Sequence, residues 1–396
     1  MVALGDVGHD PRIRKTIQWL RQRNHEVVIV NHAQEFVNPT AQILSPPLGK
    51  LDLSALHYLW GRHAVSARDA ILNNIKREDG SHFAPDIVYC HELEALWLLL
   101  AKHTNESSLA MSRGATAEQC RLAFQRLPRV KLVYDAHEFE RNRRAYNSPL
   151  TFLSNRVYLE ESCVPLVDEI IVVSEGIAKE YKTLYGIDAK VIPNCVPMPT
   201  RPINIALPGI VGNHPAIIHS GNLTQARCLD MVMAAAIKAK VRFVAVGNVI
   251  DAGGAKPMNE IAAGLQKQGA ILIPAQPYPY CGVSNSLLDI CAGAVAGICI
   301  TEDTGIRSYE LALPNKVYEY AMAGVPIIVS KHMTEAAALI KHYGIGRTFD
   351  NTVDDLAEKI RFYKNNPLDP ARFVRFNLEN NYEARCGPIL DEVTND

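Results

Sequence analysis

Short runs of β-branched and aliphatic residues recur along the chain, separated by helix-length segments, and this alternation is its most constraining feature. One series comprises Glu26–Asn31, Asp86–Cys90, Val130–Tyr134 and Glu169–Val173, and a second comprises Ala216–His219, Val241–Val246, Ala270–Ile273 and Val325–Val329. Each run is continuously apolar, the pattern of a parallel strand covered on both faces. Between runs, Pro11–Arg23 reads as a helix with Pro11 in its first position. Strand–helix repetition of this kind predicts doubly wound parallel sheets, an α/β fold. Met1-Val-Ala-Leu-Gly5 reads as part of a first strand and carries no basic n-region, so no signal peptide is expected.

Two such series need a divider. Pro193, Pro197, Pro199 and Pro202 crowd ten residues, too many for a helix interior or a central strand. The expected organisation is a first domain over 1–200, rejoined by a C-terminal helix at about 370–396, and a second over 201–369. At about 150 residues per domain the length allows two or three domains, and the linker selects two. Thr104–Arg126 is polar and irregular and reads as a surface excursion. No solenoid repeat or low-complexity tract is present.

Composition excludes several classes. Hydrophobic residues are 48% and charged residues 21%, enough apolar surface to offset the entropy of ordering. With 41 Lys and Arg against 42 Asp and Glu, the net charge of −1 lacks the basic excess that nucleic-acid binding draws on. The longest apolar runs, Ala95–Ala101 and Cys291–Ile300, fall short of the ~20 residues of a spanning helix. Nine cysteines, with no Cys-x-x-Cys pair and no zinc-spaced Cys/His cluster, predict reduced thiols and a cytoplasmic setting.

Chemistry-bearing residues gather at four strand ends, where α/β folds bind ligands. Gly5, Gly8, Asp10 and Arg12 lie between the first strand and first helix. They form either a tight turn capped by Asp10 or a place where a ligand meets backbone at a helix N-terminus. Without GxGxxG spacing it is no nucleotide fingerprint. His137 follows VKLVYDA, placed either as a core histidine or as a hydrogen-bonding partner for a substrate hydroxyl, and His91 after DIVYC repeats the arrangement. In the third, His219-Ser220-Gly221-Asn222 leads to Arg227, a diphosphate cradle or a solvated helix start. The fourth is Pro314-Asn315-Lys316 with Glu319, on a helix expected to run from Pro314 to Gly324. Lys316 and Glu319 share a face, as a phosphate cation beside a ribose-binding carboxylate or as a simple i,i+3 ion pair.

Taken together these segments resemble the retaining GT-B glycosyltransferases of family 4, collinearly over nearly the whole chain. The resemblance is carried by Asp10-Pro-Arg12 with HEVVIV, by YDAHE, and by Val173-Ser-Glu-Gly176 with Val191-Ile-Pro-Asn194. It continues through SGNL with Arg227, Val246-Gly247 and PNKVYEYAMAGVP, the last being the most specific. It implies two Rossmann-like domains facing a cleft, with a final helix around Pro370–Ala384 crossing back to the first. It further implies a nucleotide-diphosphate sugar as donor substrate on the second domain, no cofactor and no metal. Gly221, Asn222, Arg227, Gly247, Asn315, Lys316 and Glu319 would then bind the donor, Arg227 and Lys316 clamping its diphosphate and Glu319 its ribose. His137 would face the donor sugar, making His137, Arg227 and Lys316 the catalytic set. Gly5, Gly8, Asp10, Arg12 and His91 would line the acceptor side. No Asp-x-Asp pair stands where a donor phosphate would sit.

Two positions depart from the family pattern. Many relatives carry a glutamate eight residues before the one matching Glu319; here Leu311 holds that position and Glu310 is one step out of register. The usual Lys-Gly opening the donor helix is Arg227-Cys228. The expected acceptor is a saccharide, a lipid-linked or a small molecule, in cell-envelope polysaccharide or glycoconjugate synthesis. The basic groups Arg12, Arg14, Lys15, Arg21 and Arg23, and Arg141, Arg143 and Arg144, read either as solvated helix faces or as a peripheral contact with the inner face of a membrane. The alternatives are a nucleotide-sugar 2-epimerase of the same fold and a non-catalytic nucleotide-sugar-binding subunit.

Overall fold

In the computed structural model the residues described are 1–3, 10–31, 43–44, 81–93, 95–96, 99–100, 130–142, 150–250, 257–274 and 287–395. Among them the chain divides into two units. The first takes 1–141, 150–192 and 389–396, and the second 142–149 and 193–388.

The first unit is built on a parallel sheet of β1 (Val2–Ala3), β2 (Ile29–Asn31), β3 (Ile43–Leu44), β4 (Ile87–His91), β5 (Lys131–Ala136), β6 (Glu169–Val172) and β7 (Lys190–Val191). Their order is β3-β2-β1-β4-β5-β6-β7, so the connection reverses direction between β1 and β4. The second unit holds β8 (Ala216–Ser220), β9 (Arg242–Val246), β10 (Ile271–Ile273), β11 (Ala296–Cys299), β12 (Ile327–Ser330) and β13 (Gly346–Phe349). Their order β10-β9-β8-β11-β12-β13 reverses between β8 and β11. All these pairings are parallel, as the continuously apolar runs require: β8 and β12 are buried along their whole length. Ile217, Phe243, Ile298 and Ile328 pack with Val232, Leu356 and Ile360 from helices Leu229–Ala239 and Val353–Asn365 into one core.

Helix Pro11–Gln22 starts at its proline because Asp10 caps it, accepting from the N–H groups of Arg12 at 2.8 Å and Ile13 at 3.2 Å. The helix expected from Pro314 begins at Asn315, with Pro314 at the cap, and ends at Met322. Ala296–Cys299, which reads in the sequence as part of a long apolar run, is central strand β11, and the short β3, β7 and β13 have no strong run of their own. The Thr104–Arg126 excursion lies outside the described residues.

The proline-rich stretch belongs to the second unit. Arg201 grips the buried Asp289 through both terminal guanidinium nitrogens, and the Asn204 N–H donates to the same carboxylate at 2.8 Å. The span that rejoins the first unit is shorter than the expected 370–396. Helix Ala371–Glu379 stays with the second unit because Phe376 is buried against Tyr318 and Tyr343. Only Ile389–Asp396 returns. There Asp391 accepts from the Trp19 indole at 2.8 Å and pairs with Arg23 at 2.6 Å.

Candidate functional site

In the second unit, β8 ends at Ser220 and the chain turns at Gly221 with φ +103°, a conformation that favours glycine. A Cβ on Gly247, just after β9, would stand 1.9 Å from the Gly221 carbonyl oxygen. The two glycines are therefore needed together, one for its torsion and the other for close backbone approach. Asn222 follows, exposed. The turn Gln225–Arg227 carries the half-buried Arg227, and its Ala226 carbonyl accepts the Glu302 N–H at 2.9 Å beyond β11.

Helix Asn315–Met322 delivers the remaining groups to this turn. Lys316, only 7% exposed, places Nζ 3.1 Å from Nε2 of the fully buried His219. A Cβ on Gly221 would come within 3.6 Å of that Nζ, so the ammonium lies directly against the open turn. Burial, and then the Arg227 charge, bring the Lys316 pKa down to about 7. The same causes, with Lys316 itself, hold His219 well below the ordinary histidine value. Glu319 accepts from the Ser220 hydroxyl at 3.1 Å, and Tyr320 accepts the Ser220 N–H at 2.7 Å. The Tyr320 ring lies so close over β11 that a Cβ on Gly297 would meet it at 2.2 Å. Asn315 Oδ1 is buried with no hydrogen-bond partner among the described residues. Glycine turn, two cations and a carboxylate converge beside the point where the strand order reverses, the usual ligand crevice of such sheets. The chemistry on offer is anion binding at an open glycine turn backed by a buried lysine.

The departures from the family pattern also have places. Leu311 is 3% exposed, turned into the core. Glu310 is held by Arg307 at 2.7 Å, and its carbonyl accepts from Thr334 Oγ1 at 3.0 Å. Cys228 adopts φ +47°, ψ +42°, the left-handed region where the expected glycine would sit without strain.

The first unit has its own cluster at the ends of β4 and β5. Arg12 is buried and donates through Nε and Nη2 to Asp135 at 2.6–3.0 Å and through Nη1 to the Ile192 carbonyl at 2.7 Å. It therefore braces the helix on the sheet and does not belong to a solvated basic face; Lys15 is buried as well. Burial would raise the Asp135 pKa, but Arg12 and the two histidines outweigh it and bring it to about 2. His91 is wholly buried, and burial drives its pKa down to about 3. His91 Nδ1 lies 3.0 Å from His137 Nε2, while His137 Nδ1 lies 3.8 Å from Asp10 and 4.0 Å from Glu92. Glu92 is at φ +68°. His91, Asp135 and His137 bring ligand-type atoms within 4.8 Å of one another. The Asp135 carboxylate already takes Arg12 and the Tyr89 hydroxyl, so this donor set fits a hydrogen-bonded network better than a cation cage. Gly5, Gly8, Arg143 and Arg144 lie outside the described residues. Asp135 and Tyr320 enter the two clusters only through the fold, and His219 and Ser220, named in the third segment without a role, gain partners there: Lys316 for His219, Glu319 and Tyr320 for Ser220. The signal for two of them was a charged or imidazole group inside an otherwise apolar strand, which must be partnered when buried.

No family model and no curated protein sequence matches the chain. Solved structures do. Sucrose-phosphate synthase from Thermosynechococcus elongatus aligns with a TM-score of 0.64 at 13% identity, covering 100% of this chain and 98% of that one. Anabaena HepE, solved in complex with UDP, aligns at 0.60 with 14% identity, covering 99% and 96%. AviGT4, a glycosyltransferase of avilamycin A biosynthesis, aligns at 0.54 with 14% identity over 99% and 96%. The fold is that of the GT-B glycosyltransferases. At these identities the likeness speaks for architecture alone: two parallel-sheet α/β units in one chain.

Proposed function

We propose that the chain is a glycosyltransferase of family 4. It moves a hexose from a nucleoside-diphosphate sugar to an acceptor hydroxyl, with retention of configuration and without a metal. The observation that carries this reading is Lys316, a buried ammonium against the glycine turn at Gly221, with Arg227 close enough to depress its pKa. A buried Lys316 and a half-buried Arg227, near enough to act on each other electrostatically, suit a diphosphate. Glu319, one helical turn on, suits a ribose diol. HepE, solved with UDP and with UDP-glucose, makes a uridine diphosphate sugar the first donor to test.

In the proposed step the bond between the anomeric carbon and the diphosphate oxygen breaks, its electrons leaving with the diphosphate. The acceptor oxygen bonds to that carbon on the same face, and its proton passes to the departing phosphate oxygen. Arg227 and Lys316 stabilise the charge that develops there, the role a metal plays elsewhere. The first unit is the acceptor-side domain, and His137 hydrogen-bonds during transfer. The chain acts in the cytoplasm, on a saccharide, lipid-linked or small-molecule acceptor of cell-envelope polysaccharide or glycoconjugate synthesis. Among the described residues no helix is long and apolar enough to cross a membrane. Peripheral membrane contact would rest on Arg14, Arg21 and Arg23, without the buried Arg12 and Lys15, and on Arg141, Arg143 and Arg144.

The test is proton NMR of the reaction of UDP-glucose with an acceptor panel. The expected product keeps the donor's anomeric configuration and forms undiminished in chelator. Inversion, or conversion of free nucleotide sugar to its 2-epimer without acceptor, would overturn the reading.

A further inference from the structure

Strands β4 and β5 pair with His91 opposite Asp135, and His137, just past the end of β5, brings its ring to the same place, so that polar atoms of all three lie within 4.8 Å of one another. His91 Nδ1 is 3.0 Å from His137 Nε2 and 3.4 Å from Asp135 Oδ2. Between two neutral imidazoles at that distance one nitrogen donates and the other accepts. The surroundings decide which.

If His137 Nε2–H donated, His91 Nδ1 would carry a lone pair facing the Asp135 carboxylate. His91 Nε2–H would then be a buried donor, and that atom has no partner among the described residues. His137 Nδ1 would turn a second lone pair toward Asp10 and Glu92, whose carboxylate oxygens lie 3.8 and 4.0 Å away. The reverse arrangement removes all three conflicts. His91 Nδ1–H then points between His137 Nε2 and Asp135, and His137 Nδ1–H faces the two carboxylates. The atom left unpartnered is only a lone pair, which tolerates burial better than an N–H.

We propose that His91 is a positioning residue that holds neutral His137 in its Nδ1–H tautomer, so that His137 meets substrate as a hydrogen-bond donor through Nδ1. The tautomer follows from the geometry alone; its use in catalysis rests on the transferase reading above. Arg12 belongs to the same device, since its two-pronged grip keeps Asp135 ionised and turned toward His91.

Nitrogen-15 NMR of the histidine-labelled full chain at pH 8, where an ordinary imidazole is neutral, reads the tautomer directly. His137, assigned by its loss in His137→Ala, should show a pyrrole-like Nδ1 and a pyridine-like Nε2. A pyrrole-like Nε2 overturns the proposal. In His91→Phe the His137 signals should move toward the other tautomer. In His91→Asn, whose amide can donate from nearly the same place, they should stay. With a donor that turns over, His91→Phe should lower kcat about tenfold or more at unchanged donor KM, and His91→Asn should recover most of it. Equal losses in both variants would mean that His91 only fills space. Because the spectrum is recorded without substrate, failure of the transferase reading leaves the tautomer test intact.

Discussion

Cys228 occupies left-handed backbone, φ +47° and ψ +42°, at the start of helix Leu229–Ala239, where an L side chain costs about 1–2 kcal/mol. Cys228→Gly should therefore raise unfolding stability by about 1 kcal/mol, read as a higher urea midpoint at constant m-value. Lys316 makes a second prediction at this scale. Its pKa of about 7 lies below the ordinary lysine value, so in the free protein it is largely neutral above pH 7. A bound diphosphate restores the charge, and binding takes up a proton. Between pH 7 and the raised pKa of the complex, affinity for UDP should fall with rising pH, approaching about tenfold per pH unit, and should level off below pH 7. Calorimetry in buffers of different ionisation enthalpy measures the uptake; no uptake at pH 8 would count against it. Folding carries the opposite sign: the unfolded chain binds the proton more readily over that range, so this lysine's cost to stability is full below pH 7 and disappears as pH rises toward 10.5.

At the scale of elements, helix Pro11–Gln22 is tied to β5 by Arg12 and Asp135, both buried. Arg12→Met should destabilise by about 3–5 kcal/mol because it strands a buried carboxylate, whereas Arg12→Met with Asp135→Leu should cost much less. Equilibrium denaturation of the two variants checks the difference. This contact shows why the site was only partly legible in sequence. Asp135 in LVYDAH announces a buried charge, but its partner sits 123 residues earlier in a run of basic residues that reads as a solvated face. Pairing at that separation is a property of the sheet order, which no local pattern states. Helix Asn315–Met322 was readable because its signals are local: a proline cap, an i,i+3 polar pair, and a glycine at the end with φ +71°. Cys228 shows the converse, since its torsion is set by the turn around it and not by cysteine.

Over the whole molecule, continuous apolar runs marked eight of the strands because burial on both faces demands them. The short β3, β7 and β13 took their place from neighbours. The extent of the C-terminal segment that belongs to the first unit is set by side chains that only the fold brings together: Phe376 keeps one helix on the second unit, and Asp391 draws the last residues to Trp19 and Arg23. Ending the chain at Pro388 removes Leu390 and Val393, both fully buried, worth about 1.5–3 kcal/mol each. Hydrogen exchange should accelerate in helix Pro11–Gln22 while β8–β13 stay protected; an unchanged first unit would refute that assignment. A nucleoside-diphosphate site built on Gly221, Arg227, Lys316 and Glu319 is open to titration calorimetry at pH 7 with UDP and UDP-sugars. The wild-type chain should give a measurable Kd and Lys316→Ala should lose binding, with circular dichroism and melting preserved. Equal UDP affinity in wild type and Lys316→Ala would contradict it.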